Sequence, residues 1–155
     1  MAANLGLIDL STRRLRVLVA EPTEQRGEPR LVRREEPLEH GLESLPDVLD
    51  ALIEDEVLTA GRWQLALSGD LVSFHHLKSP LKDLRKVRLT LEFELENALP
   101  FRREDVVVSP LLRRAEDGTD ILAFATRRAL LQPLLEQLHE RRIEAVSVVP
   151  SAFGA

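Results

Sequence analysis

The chain has 155 residues, a formal net charge of −5 (21 Lys and Arg against 26 Asp and Glu) and 44% hydrophobic residues. That length suits one domain or two small ones, and the composition is globular rather than disordered. There is no cysteine, which excludes disulfides, thiolate metal sites and a cysteine nucleophile, and the acidic balance argues against a nucleic-acid partner. Leu5 to Leu10 is a short apolar run containing one Asp, and Ser11-Thr12 follows as a turn signal. Leu15, Val17 and Val19 alternate with Arg16, Leu18 and Ala20, as a strand with one covered face does. Pro22 to Pro29 reads as a hairpin-like loop and Arg30 to Glu35 as a third strand. Ser44 to Leu58 predicts a helix, with Ser44 at its cap and Gly61 stopping it; Leu45, Val48, Leu49, Leu52, Ile53 and Val57 share one face. Trp63, Leu65 and Leu67 mark a fourth strand, and Gly69-Asp70 a turn.

A second set of elements begins there. Leu71 to Leu77 predicts a strand, and Ser79-Pro80 predicts a helix start. The next stretch carries two periods at once. Val87, Leu89, Leu91, Phe93 and Leu95 alternate with polar residues, yet Leu84, Val87, Leu91, Leu95 and Leu99 follow a helical repeat. The unbroken length from Leu81 to Leu99 favours a helix, ended by Pro100. Asp105 to Leu112 and Asp120 to Ala125 read as strands joined at Glu116-Asp117-Gly118. Thr126 is placed as the cap of a helix whose face is Leu130, Leu131, Leu134, Leu135 and Leu138, with Pro133 either bending it or marking a later start. Ala145 to Val149 is the last strand.

Familiar catalytic signatures are missing: there is no phosphate loop ending in Lys-Ser/Thr, no nucleophile elbow and no His-Glu-x-x-His. His75 and His76 would point to opposite faces of a strand, so no metal ligation is expected of them. Glu92 and Glu96 would share a solvated helical face, with Glu94 elsewhere. The six Arg-Arg pairs are scattered, as solvated surface charge is. Asp9 stands out, because an Asp inside an apolar strand must be satisfied by protein donors or hold a ligand. No apolar run approaches the roughly 20 residues of a membrane span, and the N-terminus does not read as a signal peptide, so a cytoplasmic protein is expected.

Gly6 to Val17, with Asp9, Ser11 and Thr12 at its turn, resembles the first phosphate-loop hairpin of the actin-like ATPase superfamily. Leu91 to Phe101, ending in Leu99-Pro100-Phe101, is similar to a helix and turn of the PilM family of type IV pilus assembly proteins and of the related GspL cytoplasmic domain of type II secretion. Leu134 to Phe153 resembles the helix–strand–helix return of the same family. The resemblance covers the N-terminal half of that fold. It implies an α/β protein with mixed sheets: an actin-like (ribonuclease H-like) subdomain 1A over residues 1–69 and 146–155, and an inserted small 1C-type subdomain, shared with the cell-division protein FtsA, over residues 70–145.

The resemblance further implies a scaffold at the cytoplasmic face of a bacterial inner membrane, with a membrane-anchored PilN-like assembly protein or a GspE-like motor ATPase as partner. Phe74, Leu77, Pro100 and Phe101 would contact that partner, near the junction of the two subdomains. The alternative it implies is a nucleotide-binding ATPase whose half-site is Asp9, Ser11, Thr12 and Arg16, with ATP and magnesium bound by a longer parent protein. Ser11 replaces the family's usual glycine, Arg13 and Arg14 add bulk, and the second phosphate loop and adenosine loop are absent. No enzymatic activity and no cofactor are therefore expected of this chain. Half of a fold exposes surface that a homodimer would cover.

Overall fold

The computed structural model describes residues 4–24 and 27–151. The chain divides into two compact units, one of the described residues through Leu71 together with those from Leu134 onward, the other Val72–Pro133.

In the first unit the predicted alternation becomes β1 (Leu5–Leu10), β2 (Arg14–Glu21) and β3 (Arg30–Pro37), an antiparallel meander. After α1 (Leu45–Glu54), β4 (Arg62–Leu67) pairs parallel to β1, and β8 (Ala145–Pro150) pairs parallel to β4. The sheet order is β3-β2-β1-β4-β8. One face carries Ile8, Leu10, Leu15, Val17, Leu65 and Leu67, all buried, and α1 adds Leu45, Leu49 and Leu52. The register sets Gly6 beside Trp63. A Cβ on Gly6 would fall 2.3 Å from the Trp63 ring, so the glycine makes room for the indole.

Two helix ends differ from the sequence reading. Ser44 stands at the N-cap of α1 as expected, but its hydroxyl makes no cap bond; it accepts from the His40 amide, and a 3-10 turn at Gly41–Ser44 leads into the helix. The helix also stops well before Gly61. Glu56 adopts a left-handed φ of 55°, its amide bonds to the Ile53 carbonyl, and the Val57 amide bonds to Leu52. This closure seats buried Val57 over buried Leu52. α3 (Arg128–Glu140) ends the same way, with Arg142 at φ 60° and the Ile143 amide on the Leu138 carbonyl.

The second unit is an antiparallel sheet in the order β5-β7-β6, built from β5 (Ser73–Ser79), β6 (Val106–Ala115) and β7 (Gly118–Arg127). The helical reading of the ambiguous stretch holds as α2 (Leu84–Ala98). Val87, Leu91, Leu95 and Leu99 meet Val106, Ile121, Ala123 and Ala125 in one core cluster. α2 does not start at Ser79-Pro80. Ser79 ends β5, buried, and Thr119 Oγ1 donates to the Leu81 carbonyl at 2.7 Å, pinning that segment to β7. Asp83 is the cap instead, accepting from the Arg85 amide at 3.0 Å. Thr126 does not cap α3 either: it lies within β7, paired with Val107, and β7 runs on to Arg127.

α3 is one continuous helix through Pro133. The sequence reading returned the chain to the first unit at 146; the contacts return it at Leu134, inside α3. Arg141, just beyond α3, binds Asp50 of α1 at 2.8 Å, which ties this end of the helix to the first unit. Ser151 is helical, and the rest of the helix expected after Pro150 lies outside the described residues.

Candidate functional site

Parallel pairing of β1 and β4 brings the carboxyl ends of both strands to one edge, which is where open α/β sheets place ligands. The turn after β1 is organised by Ser11. Its hydroxyl accepts from the Arg13 and Arg14 amides at 3.2 and 3.1 Å, and its amide donates to the Arg14 carbonyl at 3.0 Å. At the tip, the Thr12 amide and hydroxyl both donate to Asp70 Oδ2, at 2.9 and 2.6 Å. Asp70 lies in the turn after β4, so one carboxylate ties the two strand ends together. Partial burial raises the Asp70 carboxyl, but the two Thr12 bonds, an amide bond and the Arg13 charge outweigh it and hold the group below its ordinary value.

Asp9 and Arg16 come together on the β1–β2 ladder as direct partners, Arg16 Nη2 to Asp9 Oδ2 at 2.8 Å. The other carboxylate oxygen of Asp9 accepts from the Ser151 hydroxyl, and Ser151 lies 3.5 Å from the Ser68 hydroxyl. Asp9 is thus satisfied by protein donors on both oxygens.

An actin-type phosphate loop needs backbone amides aimed at the anion and a basic group free to meet it. Here the Thr12 amide is bonded to a carboxylate, and Arg16 is bonded to Asp9. Both groups are thus already engaged by carboxylates of the protein itself. The residues present therefore do not fit a nucleotide phosphate. Beside the loop lies an open depression of about 810 Å³, bordered by Ser11, Arg13, Arg14, Glu35, Ser68 and Asp70. Among the described residues no cluster of three or more His, Asp or Glu could hold a metal ion.

The four expected partner-contact residues fall in the second unit but not on one surface. Phe74 is 44% exposed and packs edge-on against Phe124 at 5.3 Å. Leu77, three positions on, belongs to the opposite face of the sheet and packs against the α2 core together with Phe101. Pro100 and Phe101 do line one feature, a groove of about 1280 Å³ between α2, the turn after it and the outer edge of β6. Leu95, Leu99, Phe101, Val106 and Val108 form its apolar floor, and Arg128 stands at its rim. The Arg127 guanidinium lies 4.3 Å from the Phe101 ring centre and fixes it there. β6 is an edge strand, and Pro110 within it suits that position, since proline offers no ladder donor.

Asp70, Ser68 and Ser151 escaped the sequence reading as site residues. The signal lay in the topology: once β1 and β4 are parallel neighbours, the Ser68-Gly69-Asp70 turn must stand beside Ser11-Thr12. Of the groove, the sequence reading named Pro100 and Phe101; its other walls, α2 and β6, face each other only once the chain turns back after α2.

No protein-family model and no curated protein matches the chain. Solved structures do. The cytoplasmic domain of EpsL, an inner-membrane component of the type II secretion system of Vibrio cholerae, aligns at TM-score 0.67 and 16% identity over 96% of this chain and 57% of that one. A PilM–PilN type IV pilus biogenesis complex aligns at 0.74 and 18% identity over 96% of this chain and 48% of that one. A Bacteroides thetaiotaomicron protein with an actin-like ATPase fold aligns at 0.54 and 16% identity, covering 95% and 52%. The chain spans about half the length of these structures. It has the actin-like ATPase fold in the form found in PilM and in the EpsL cytoplasmic domain.

Proposed function

We propose that this chain is a scaffold of a bacterial type IV pilus or type II secretion platform, working at the cytoplasmic face of the inner membrane. Its partner is a short extended segment of a membrane-anchored, PilN-like assembly protein. The observation that carries the reading is the contrast between two sites. At the β1–β2 turn, the Asp9 carboxylate, the Thr12 amide and hydroxyl, and Arg16 are all bonded within the protein. Along α2 and the β6 edge, a groove of about 1280 Å³ with an apolar floor and charged walls stays open.

A free strand edge beside apolar pockets is what an extended peptide uses: main-chain bonds supply affinity and the pockets supply selectivity. The PilM–PilN complex among the structural relatives supports a partner of this kind. Among the described residues no helix is long and apolar enough to cross a membrane, so a membrane-anchored partner would hold the chain at the surface.

The test is fluorescence anisotropy of a labelled cytoplasmic peptide from a candidate membrane partner. Saturable binding that weakens at least about tenfold in Phe101→Ser supports the reading, since buried aromatic anchors dominate such interfaces. Binding of a GspE-like motor ATPase instead, with no peptide binding, moves the partner to the motor. Binding of neither removes the scaffold reading.

A further inference from the structure

α2 carries two apolar stripes and only one has a use within the chain. Val87, Leu91 and Leu95 are buried in the core of the second unit. Leu89 and Phe93, one helical turn apart, are 72% and 68% exposed. They lie on the side of the helix away from that core, because two residues along a helix turn through roughly 200°.

The charges around this outer stripe are segregated. Arg85 and Lys86 flank it at the N-terminal end; Glu92 and Glu96 flank it toward the C-terminal end. The first turn contains no acidic residue and the last turn no basic one. This order opposes the helix dipole, which favours acids at the N-terminus and bases at the C-terminus. The arrangement thus works against the isolated helix. Glu92 pairs with Arg103, but Lys86 and Glu96 have no ion-pair partner among the described residues.

We infer that α2 is a homodimerisation helix that docks antiparallel on α2 of a second copy of this chain. The sequence spacing is self-complementary. A two-fold axis passing at Leu91 sets Leu89 against Phe93 of the other copy, each two positions from the axis. The same axis sets Lys86 against Glu96, each five positions away. Every contact then occurs twice, as an isologous interface requires. A parallel pairing would set Lys86 against Lys86 and Glu96 against Glu96. The charge order that is unfavourable within one helix becomes favourable between two, and it selects the antiparallel alignment. One helix face is a small interface, at the low end of those that hold proteins together. The dimer is therefore a weak, reversible one, and salt weakens it further.

This inference stands on α2; Glu96 also borders the neighbouring groove, whereas Lys86, Leu89 and Phe93 do not, so substitutions at those three test the dimer apart from peptide capture. Sedimentation velocity of the whole chain over a wide concentration range tests it. The expected result is a monomer–dimer equilibrium. Lys86→Glu alone and Glu96→Lys alone each weaken the dimer at least about tenfold, since each creates two like-charge contacts. Mixing these two variants restores a dimer of native strength, because the mixed pair is attractive at both ends. Phe93→Gln also weakens the dimer; the residue is exposed, so an unchanged thermal melt shows that the fold is intact. A chain that stays monomeric throughout overturns the inference. So does a dimer indifferent to these substitutions, or a mixture of the two charge variants that stays monomeric.

Discussion

At the scale of single residues, the β1–β2 turn is held by a few charged and hydroxyl groups, and each makes a checkable claim. Asp9→Asn leaves Arg16 facing a neutral amide and loses the strength of a charge-assisted pair. The expected destabilisation is about 1–2 kcal/mol in urea unfolding. Thr12→Val removes one of the two bonds to Asp70 and should lose about 1 kcal/mol, with the amide bond kept. Gly6→Ala pushes a methyl group into the buried Trp63 ring, whose indole nitrogen is already held by the Ala60 carbonyl; about 1–3 kcal/mol of destabilisation should follow. The sequence marked Asp9 because an acid in an apolar strand demands a partner. It could not name Ser151, which reaches Asp9 from the far end of the chain.

At the scale of elements, periodicity placed the strands and helices, and tertiary contacts set their ends. The two periods over Val87 to Leu95 coexist because α2 has one stripe for the core and another facing outward. A strand-like alternation in a helix was therefore the trace of a second surface. The end of α1 was misread because glycine is the usual left-handed residue and Gly61 was at hand. Glu56 takes that conformation instead, as Arg142 does after α3. Each holds a strained backbone where Gly would be relaxed, so Glu56→Gly and Arg142→Gly should each raise stability by about 0.5–1 kcal/mol in thermal or urea unfolding. Ser79-Pro80 misled in a similar way. Its cap chemistry was sound, but Gly118 lies so close to Ser79 that a Cβ there would meet the Ser79 carbonyl, and that packing keeps the segment on the sheet.

At the scale of the whole molecule, two carboxylates tie distant parts of the chain, Asp50 to Arg141 and Asp70 to Thr12, and a third, Asp120, pairs with Arg113 across the β6–β7 hairpin. Hydrogen bonding from Arg141 lowers the Asp50 carboxyl and that from Arg113 lowers Asp120, while for Asp70 the Thr12 bonds overcome an opposing burial effect. A carboxyl lowered in the folded state binds fewer protons than in the unfolded chain. Stability from these groups is therefore fully present above the ordinary carboxylate value, near pH 4, and is lost as pH falls through the lower folded values. The melting temperature should decline on acidification below about pH 4, and less so in Asp70→Asn.

The fold class was legible from the hairpin and the Leu-Pro-Phe stretch. The groove was not, since Phe101, Val106 and Leu95 converge only after α2 lies on β6 and β7. The central claim is that this chain uses the actin-like fold to hold a protein segment and leaves the nucleotide loop closed. Calorimetric titration of the chain with Mg-ATP, beside titration with the membrane partner's cytoplasmic peptide, tests it most directly. The account predicts saturable heat with the peptide, diminished in Phe101→Ser, and none with Mg-ATP. Saturable Mg-ATP heat that disappears in Asp9→Ala, with a silent peptide, would contradict it.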